Sequence, residues 1–345
     1  MYVDVFINDF SELGRRVKDA VDKEDIPLPL REYMQSSFDV NSFFTFEMQR
    51  SSLSSLANFM LQKEVLSSWI NYYKENISKR DKFIGIIAAG NIPAVGFHDL
   101  MSVLASGYKC EIKLSRKDRH LIPWMISILV EINHFWKDRI MFVPSLSQSI
   151  KMVIAAGSDS TMSIIGNNFN HLPGLLRGTR SSVAVILGDE SKQEIGNLCK
   201  DIFLFYGMGC RSISRVFVPQ KYDFSSFLDS SKSFKHLADN PDYNSSYRYQ
   251  KALMTMSGKS FIDGGFFLLE ETDLFPPPLA VIGISYYLKL DDVERVIIGD
   301  NEKIQIVEWR GKEGALYFGD SQNPGPFDYA DGLDTVRFLL TNGEK

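Results

Sequence analysis

The sequence predicts an α/β protein built on mostly parallel sheets, and three features of the 345-residue chain indicate this class. Short apolar runs rich in β-branched residues recur along the chain. Several of these runs end at a glycine or a proline. Segments of helical length with apolar residues at 3.6-residue spacing separate them. Strands that alternate with helices are typical of βαβ units, which bind nucleotides at the carboxyl ends of their strands.

The first half of the chain begins with helices and then changes to strands. Residues 1–80 are predicted to be mostly helical, because Leu, Met and Phe recur at helical spacing over residues 43–73. A helix is expected to start near Asn91, after the first strand. The strand-like runs cover residues 82–89, 110–114, 140–143, 152–155 and 182–187.

The second half continues the alternation. Residues 190–205 are predicted to form an amphipathic helix that ends at Gly207. Its apolar face comprises Ile195, Leu198, Cys199, Ile202 and Phe203. Further strands are predicted at residues 216–219, 266–269 and 279–287. Residues 225–250 are polar and predicted to be surface loop and helix, prolines 276–278 form a stiff connector, and residues 328–340 form a short amphipathic element.

Composition excludes several classes of protein. The net charge is -5, which argues against a protein that binds duplex nucleic acid, and 25 Phe, 14 Tyr and 4 Trp supply ample core material. Two domains fit the length best, and one large domain is the alternative. Asp4 and Asp9 interrupt what would be the apolar part of a signal peptide, and no uncharged apolar run is long enough to span a membrane. With only three cysteines, we expect a cytoplasmic protein without a disulfide framework.

The first candidate motif is Ala89–Gly96, which lies between a strand and a helix. Its glycines allow a tight turn close to a ligand, and the amide of Asn91 can donate to an oxyanion. The alternative is an ordinary βα turn. The spacing is not the GxGxxG fingerprint of dinucleotide-binding proteins.

The second candidate is a basic cluster, Lys113–Lys117, at the end of the next strand. Lys113, Arg116 and Lys117 could bind a phosphate or a ribose there. The alternative is ordinary charge on a solvated loop.

The third candidate is Cys210, which follows a glycine-rich bend and has Arg211 beside it. Arg215 would lie one turn further on if the segment were helical. Adjacent cations and backbone N–H groups favour the thiolate form of a cysteine, which is the nucleophilic form. The alternative is a buried structural cysteine. Cys110 in an apolar strand and Cys199 on an apolar helix face fit that alternative better. The five histidines show no metal-ligand spacing, so no metal is predicted.

Taken together, residues 82–340 resemble the aldehyde dehydrogenase superfamily, and more closely its acyl-CoA reductase branch, the fatty-acid reductase type known from bacterial bioluminescence. The order of motifs carries the resemblance: a Gly-Asn-Ile-Pro loop, a strand ending in Lys-x-Ser, a strand followed by Gly-Ser, and Gly-x-x-Cys-x-x-x-x-Arg before a strand. Residues 180–185, 209–211 and 329–334 resemble the acyl-CoA reductase branch in particular.

The resemblance implies a fold and a set of roles. The fold is a Rossmann-type parallel-sheet domain with a second α/β domain that carries the thiol, divided as residues 1–188, 189–314 and a C-terminal segment 315–345 that returns to the cofactor domain. Cys210 would be the nucleophile, and Asn91 with the Cys210 backbone N–H would form the oxyanion hole. The cofactor would contact Lys113, Ser115, Arg116, Gly157, Ser158 and Asp273, the last standing where the superfamily has a glutamate.

Two departures from the superfamily refine the expected reaction. Aldehyde-oxidising members have a glutamate that activates water, whereas residues 175–180 contain no carboxylate, which favours preservation of a thioester. NAD-selective members often have a glutamate where this chain has Arg116, followed by Lys117, and these cations suit the 2′-phosphate of NADPH better than NADH.

The resemblance therefore predicts NADPH-dependent reduction of an acyl-CoA, or another acyl thioester, to an aldehyde. His98 is no more than a candidate for the general acid that this reaction needs. The alternative, a packed or half-exposed helix histidine, is the favoured interpretation. The alternatives are a thiol acyltransferase or thioesterase that uses Cys210 without hydride transfer, and a non-catalytic nucleotide-binding scaffold. A homodimer is compatible with this reading, although no feature of the sequence shows it.

Overall fold

The computed structural model describes residues 2–272 and 274–343. Within that part of the chain the residues form two compact units. The first contains the chain up to Thr179 and from Asn323 onward, and the second contains Arg180–Gln322. The first unit is thus discontinuous in sequence.

The first unit contains a parallel sheet. Across the described residues its five strands have the order β3-β2-β1-β4-β5, and all four neighbouring pairs are parallel. The strand order reverses between β1 and β4, which is the position where open α/β sheets bind ligands. The strands are β1 (Phe83–Ile87), β2 (Lys109–Lys113), β3 (Ile140–Phe142), β4 (Val153–Ala156) and β5 (Gly174–Arg177).

The helices of this unit supply most of its apolar core. The first helix is central, since Phe6 and Phe10 are completely buried and stack on each other with ring centroids 4.2 Å apart. Val336 and Leu339, near the end of the chain, belong to the same apolar cluster. The helices are α1 (Tyr2–Val21), α2 (Leu28–Val40), α3 (Phe46–Ser55), α4 (Lys63–Asn71), α5 (Phe97–Ala105), α6 (Leu121–Ile132), α7 (Asp159–Phe169) and, in the returning segment, α12 (Thr335–Asn342).

The second unit contains the other sheet. Its strands have the order β11-β6-β7-β10-β9-β8, and the described pairs are parallel except for β8 with β9. The strands are β6 (Ser181–Val185), β7 (Ile213–Pro219), β8 (Ile262–Asp263), β9 (Leu268–Glu271), β10 (Val281–Tyr287) and β11 (Ile304–Trp309). The helices of this unit are α8 (Lys192–Phe203), α9 (Ser225–Ser231), α10 (Pro241–Met256) and α11 (Leu290–Gly299).

The structure confirms the predicted alternation of helices and parallel strands, and it differs from the sequence-based prediction in three places. The strands β5, β8 and β11 were not predicted. The helix after β1 begins at Phe97 and not near Asn91, because residues 91–96 form a bend and turn. The predicted division lay after residues 188 and 314, whereas the chain changes unit after Thr179 and after Gln322. The reason is that β6 pairs with β7 and β11 of the second sheet.

Candidate functional site

The carboxyl edge of the first sheet brings three predicted segments to neighbouring positions. The register places Ile87, the last residue of β1, beside Lys113 of β2 on one side and Ala155 of β4 on the other. The chain then continues into the Asn91 loop, the Ser115 loop and the Gly157–Ser158 turn. These three segments therefore follow the ends of adjacent strands. Neighbouring strands in a sheet lie about 4.8 Å apart, so the segments begin close together.

The loop after β1 is held in place by close packing. A Cβ atom at Gly90 would overlap the side chain of Ser115, so only glycine fits there. Ala94 has a φ of 57°, which is unusual for a residue with a side chain, and the Ser52 hydroxyl donates to the Pro93 carbonyl at 2.6 Å. These constraints fix the loop, while Asn91 itself is exposed.

The segment after β2 carries the predicted cofactor contacts. Lys113, Arg116 and Lys117 are exposed, and the Ser115 Oγ accepts the Lys117 backbone N–H at 3.2 Å. The Asp118 N–H donates to the Ser115 carbonyl at 3.2 Å, which closes a tight turn. The turn therefore projects cations into solvent at the end of β2.

The turn after β4 leads directly into a helix. Ser158 is the N-cap of α7, and its Oγ accepts the Thr161 N–H at 3.3 Å. The N-terminus of a helix carries a partial positive charge and presents backbone N–H groups, a combination that binds phosphate. Asp273, the remaining predicted cofactor contact, lies outside the described residues.

These residues fit a dinucleotide phosphate. The N-terminus of α7 suits a pyrophosphate, and the end of β2 supplies cations. No group of His, Cys, Asp and Glu side chains in the described part of the chain could hold a metal ion.

In the second unit, Cys210 lies in a turn between α8 and β7. Tyr206 and Gly207 have φ values of 55° and 72°, which reverse the chain after the helix. The Ser212 N–H donates to the Gly209 carbonyl at 3.0 Å, and the Ser182 hydroxyl of β6 donates to the Cys210 carbonyl at 2.8 Å. The turn is thus anchored to the sheet at the cysteine.

The two arginines near Cys210 bind backbone carbonyls. The Arg211 Nε donates to the Ser321 carbonyl at 2.6 Å. Arg215 lies in β7, not one helical turn after the cysteine, and its Nη2 donates to the Leu274 carbonyl at 3.1 Å while its guanidinium lies over the Phe275 ring. Arg211 therefore ties the cysteine turn to the segment before Gln322.

The three cysteines occupy different environments. Burial raises the pKa of the Cys110 thiol to about 12 and that of the Cys199 thiol also to about 12. Both side chains are buried, whereas Cys210 is partly exposed. This distinction matches the one drawn from the sequence.

His98 does not have the environment of a proton donor. Its Nε2 lies 3.0 Å from the Pro326 carbonyl, and its ring stacks on that of Tyr329 at a centroid distance of 5.5 Å. Desolvation by burial lowers the pKa of His98, so the neutral ring is favoured. The structure gives this residue a packing role in the first unit.

Residues 175–180 form the segment that contains no carboxylate. Within it, Arg177 is buried and forms an ion pair of 2.5 Å with Asp99, and its Nη2 donates to the Thr335 hydroxyl at 2.6 Å. The Asp159 carboxylate accepts the Thr179 N–H at 2.7 Å. Both carboxylates that contact this segment are thus engaged by partners within the fold.

Three of the buried carboxyl groups in the described part of the chain have a pKa raised by burial, and none of them was singled out from the sequence. Asp118 lies beneath the predicted cofactor loop, where its carboxyl faces the backbone N–H groups of Ala94 and Val95. Asp201 and Glu308 lie together in the second unit. A sequence signal existed for Asp201, since it falls on the apolar face of α8 between Leu198 and Ile202.

Comparisons with solved structures identify the architecture. No known family matches the sequence, and no curated protein matches it either. A NAD-dependent benzaldehyde dehydrogenase from Corynebacterium glutamicum is similar in structure, with a TM-score of 0.62, 12% identity, and coverage of 90% of this chain and 77% of that one. An aldehyde dehydrogenase from Bacillus cereus in complex with NAD+ has a TM-score of 0.58, 15% identity and coverages of 90% and 72%.

A third structure extends the match over almost the whole chain. Aldehyde dehydrogenase 21 from Physcomitrella patens, in complex with succinate, has a TM-score of 0.57 and 10% identity, and the match covers 99% of this chain and 87% of that one. At such identities the similarity defines the fold. The α/β architecture that carries Cys210 and the Asn91 loop is the aldehyde dehydrogenase fold.

The described part of the chain contains no helix that is long and apolar enough to cross a membrane.

Proposed function

We propose that this protein is an NADPH-dependent oxidoreductase that reduces an acyl-CoA, or another acyl thioester, to an aldehyde through an acyl-enzyme on Cys210. The observation that carries the proposal is the placement of Cys210 within the aldehyde dehydrogenase fold. It is partly exposed in a fixed turn before β7, whereas the other two cysteines are buried. Exposure and anchoring are what a thiol nucleophile needs.

The first half of the reaction is an acyl transfer to the thiol. The Cys210 thiolate attacks the thioester carbonyl carbon, the bond to the coenzyme A sulfur breaks, and coenzyme A leaves as a thiol after taking up a proton. Asn91 and the Cys210 N–H are assigned to the carbonyl oxygen, and each such donor is worth about 3 kcal/mol of activation free energy. These two groups belong to different units, and their joint action is part of the proposal.

The second half returns the thiol. When bound, NADPH supplies the hydride that brings the acyl group to the oxidation level of an aldehyde. Breakage of the carbon–sulfur bond then releases the aldehyde and restores the Cys210 thiolate. The absence of a carboxylate within residues 175–180 supports this course, since no water-activating group of the oxidising enzymes is present in that segment to hydrolyse the acyl-enzyme.

Arg116 and Lys117 support NADPH over NADH. Both are exposed on the turn after β2, where the chain carries Lys113 and Ser115 as well. A guanidinium and an ammonium attract a 2′-phosphate, which a carboxylate at this position would repel. Gly157 and Ser158 at the start of α7 are assigned to the pyrophosphate, and Asp273 keeps its assignment to the ribose.

The decisive experiment follows NADPH absorbance with a panel of acyl-CoAs, using the wild type, Cys210→Ala and the matched control Cys199→Ala. We expect acyl-dependent NADPH consumption that is lost in Cys210→Ala and retained in Cys199→Ala. Release of coenzyme A that depends on Cys210 without NADPH consumption would instead identify a transferase or thioesterase. Neither signal across the panel would indicate a nucleotide-binding scaffold.

The cofactor assignment has its own test. Replacing Arg116 by Glu should weaken NADPH binding and leave NADH binding much less affected, because the new carboxylate repels the 2′-phosphate. The control is Lys151→Glu, which places the same charge change before β4, at the opposite edge of the sheet. Equal losses for both cofactors, or equal effects of the two substitutions, would contradict the assignment.

A further inference from the structure

Two carboxyl side chains lie together in the interior of the second unit. Asp201 is on α8 and Glu308 is on β11, and both are completely buried. Desolvation of a carboxylate is costly, so a buried pair of this kind needs either a compensating cation or a proton.

The surroundings of the pair contain few donors. The Gly319 N–H donates to Asp201 Oδ2, and the Ser321 hydroxyl faces both carboxyl groups. Among the described residues, neither oxygen of Glu308 accepts an N–H donor. Lys200 is the cation whose charge acts on Asp201, and Asp320 adds negative charge near Glu308.

This environment favours one proton held between the two groups. Burial raises the pKa of both carboxyls, and the charge of Asp201 raises the pKa of Glu308 further. Asp201 accepts the Gly319 N–H at Oδ2, whereas neither carboxyl oxygen of Glu308 accepts a hydrogen bond from the described residues. The arrangement therefore fits an ionised Asp201 that accepts a hydrogen bond from a protonated Glu308.

The pair is connected to the cysteine turn through residues 319–322. The Gln322 side-chain amide donates to the Asp201 carbonyl and to the Arg211 carbonyl, each at 3.2 Å. The Arg211 Nε in turn donates to the Ser321 carbonyl at 2.6 Å. Arg211 is the residue next to Cys210, so the segment that the carboxyl pair holds also holds the cysteine turn.

We propose that Asp201 and Glu308 share one proton and act as a positioning pair, which fixes residues 319–322 and through them the turn that carries Cys210. Neither side chain touches substrate in this role. The importance of the pair for catalysis rests on the proposed function of Cys210, whereas the shared proton and the fixed turn do not depend on it.

The shared proton is tested by infrared spectroscopy at about pH 8.5, where carboxyl groups with ordinary pKa values are ionised. We expect the wild type to show the carbonyl stretch of a protonated carboxylic acid, and Glu308→Gln to lose it. The control Glu302→Gln changes an exposed carboxylate of the same unit and should keep the band. Identical spectra for the wild type and Glu308→Gln would overturn the shared proton.

The positioning role is tested by alkylation of Cys210 with iodoacetamide as a function of pH, without any substrate. Glu308→Gln keeps a neutral hydrogen-bonding group and should react within about twofold of the wild type, whereas Asp201→Asn should alter the rate about fivefold or more and displace the pH profile. A change of melting temperature in Asp201→Asn with an unchanged alkylation profile would show a merely structural pair. Because no acyl-CoA is used, failure here is distinct from failure of the proposed function.

Discussion

At the residue scale, the contrast among the three thiols makes a direct prediction. Cys210 is partly exposed, whereas Cys110 and Cys199 are buried with the pKa of each thiol raised to about 12. At neutral pH the buried thiols have almost no thiolate to react. Brief treatment of the folded protein with iodoacetamide should therefore label Cys210 alone, as located by peptide mass spectrometry.

Treatment with iodoacetamide in a denaturant is the control. All three cysteines should then react, which would show that burial in the folded chain protects Cys110 and Cys199. Labelling of Cys110 or Cys199 in the folded chain at the rate of Cys210 would contradict the environments described above. It would also remove the observation on which the nucleophile was chosen.

Asp118 predicts a pH dependence of stability. Burial raises the pKa of this carboxyl from its ordinary 3.8 to about 7. Between these values the folded chain holds a proton that the unfolded chain has released, so the free energy of unfolding falls as pH rises through this range. The loss is complete above pH 7 and amounts to about 4 kcal/mol at most.

The Asp118→Asn variant removes this titration. Its free energy of unfolding relative to wild type should improve by about 2–3 kcal/mol between about pH 5 and pH 8, measured by urea unfolding at several pH values. The control is Asp138→Asn, which changes an exposed aspartate of the same unit and should show a flat difference. A flat difference for Asp118→Asn as well would mean that its carboxyl is already ionised at low pH in the folded state.

At the element scale, the packing of the loop after β1 against the turn after β2 makes a prediction about the proposed cofactor site. A methyl group at Gly90 would overlap Ser115, so Gly90→Ala must displace one of the two segments. We expect a loss of about 1–3 kcal/mol in the free energy of unfolding and weaker NADPH binding by calorimetry.

A second glycine gives the matched control. Gly196 lies in α8, where an added Cβ meets no atom within 4 Å, so Gly196→Ala should stabilise the helix by up to ~1 kcal/mol. If Gly90→Ala were as well tolerated as Gly196→Ala, the close contact between Gly90 and Ser115 would not exist in solution.

The elements themselves show what sequence patterns can and cannot predict. The helix α8 was predicted to within two residues at either end, and the predicted apolar face is buried, because Ser191 and Glu194 form a capping box ahead of a regular apolar stripe. The strand β11 was missed, because the polar residues Gln305 and Glu308 interrupt its apolar run.

The candidate site likewise contains residues that a local sequence pattern indicates and residues that only the tertiary packing brings together. Cys210 and the Asn91 loop could be proposed from the sequence, because each lies in a recognisable local pattern of glycines beside a strand. Asp201 and Glu308 could not be paired from the sequence, since their contact depends on how α8 and β11 pack within one unit. Asp118 was not singled out from the sequence, since only the fold shows that its carboxyl is buried.

At the scale of the whole molecule, the chain returns to the first unit after Gln322. This return predicts which part of the fold is destabilised when the chain is shortened. The Tyr329 hydroxyl accepts the Trp69 Nε1–H at 2.7 Å and lies 3.0 Å from the Tyr73 hydroxyl. Val336 and Leu339 are completely buried in the core of that unit. These contacts link the end of the chain to helices near its beginning.

A chain that stops at Gln322 keeps every residue of the second unit but removes these contacts from the first. We expect hydrogen exchange measured by mass spectrometry to show lost protection in peptides from α4 and α5, with protection in β7 and β10 retained. The milder variant Tyr329→Phe, which leaves the Trp69 N–H without this acceptor, should cost only about 1–3 kcal/mol. Wild-type protection of α4 and α5 in the shortened chain would show that the returning segment is an appendage and not part of the core. Uniform loss in both units would show instead that they unfold as one, so that the cysteine turn depends on the integrity of the first unit.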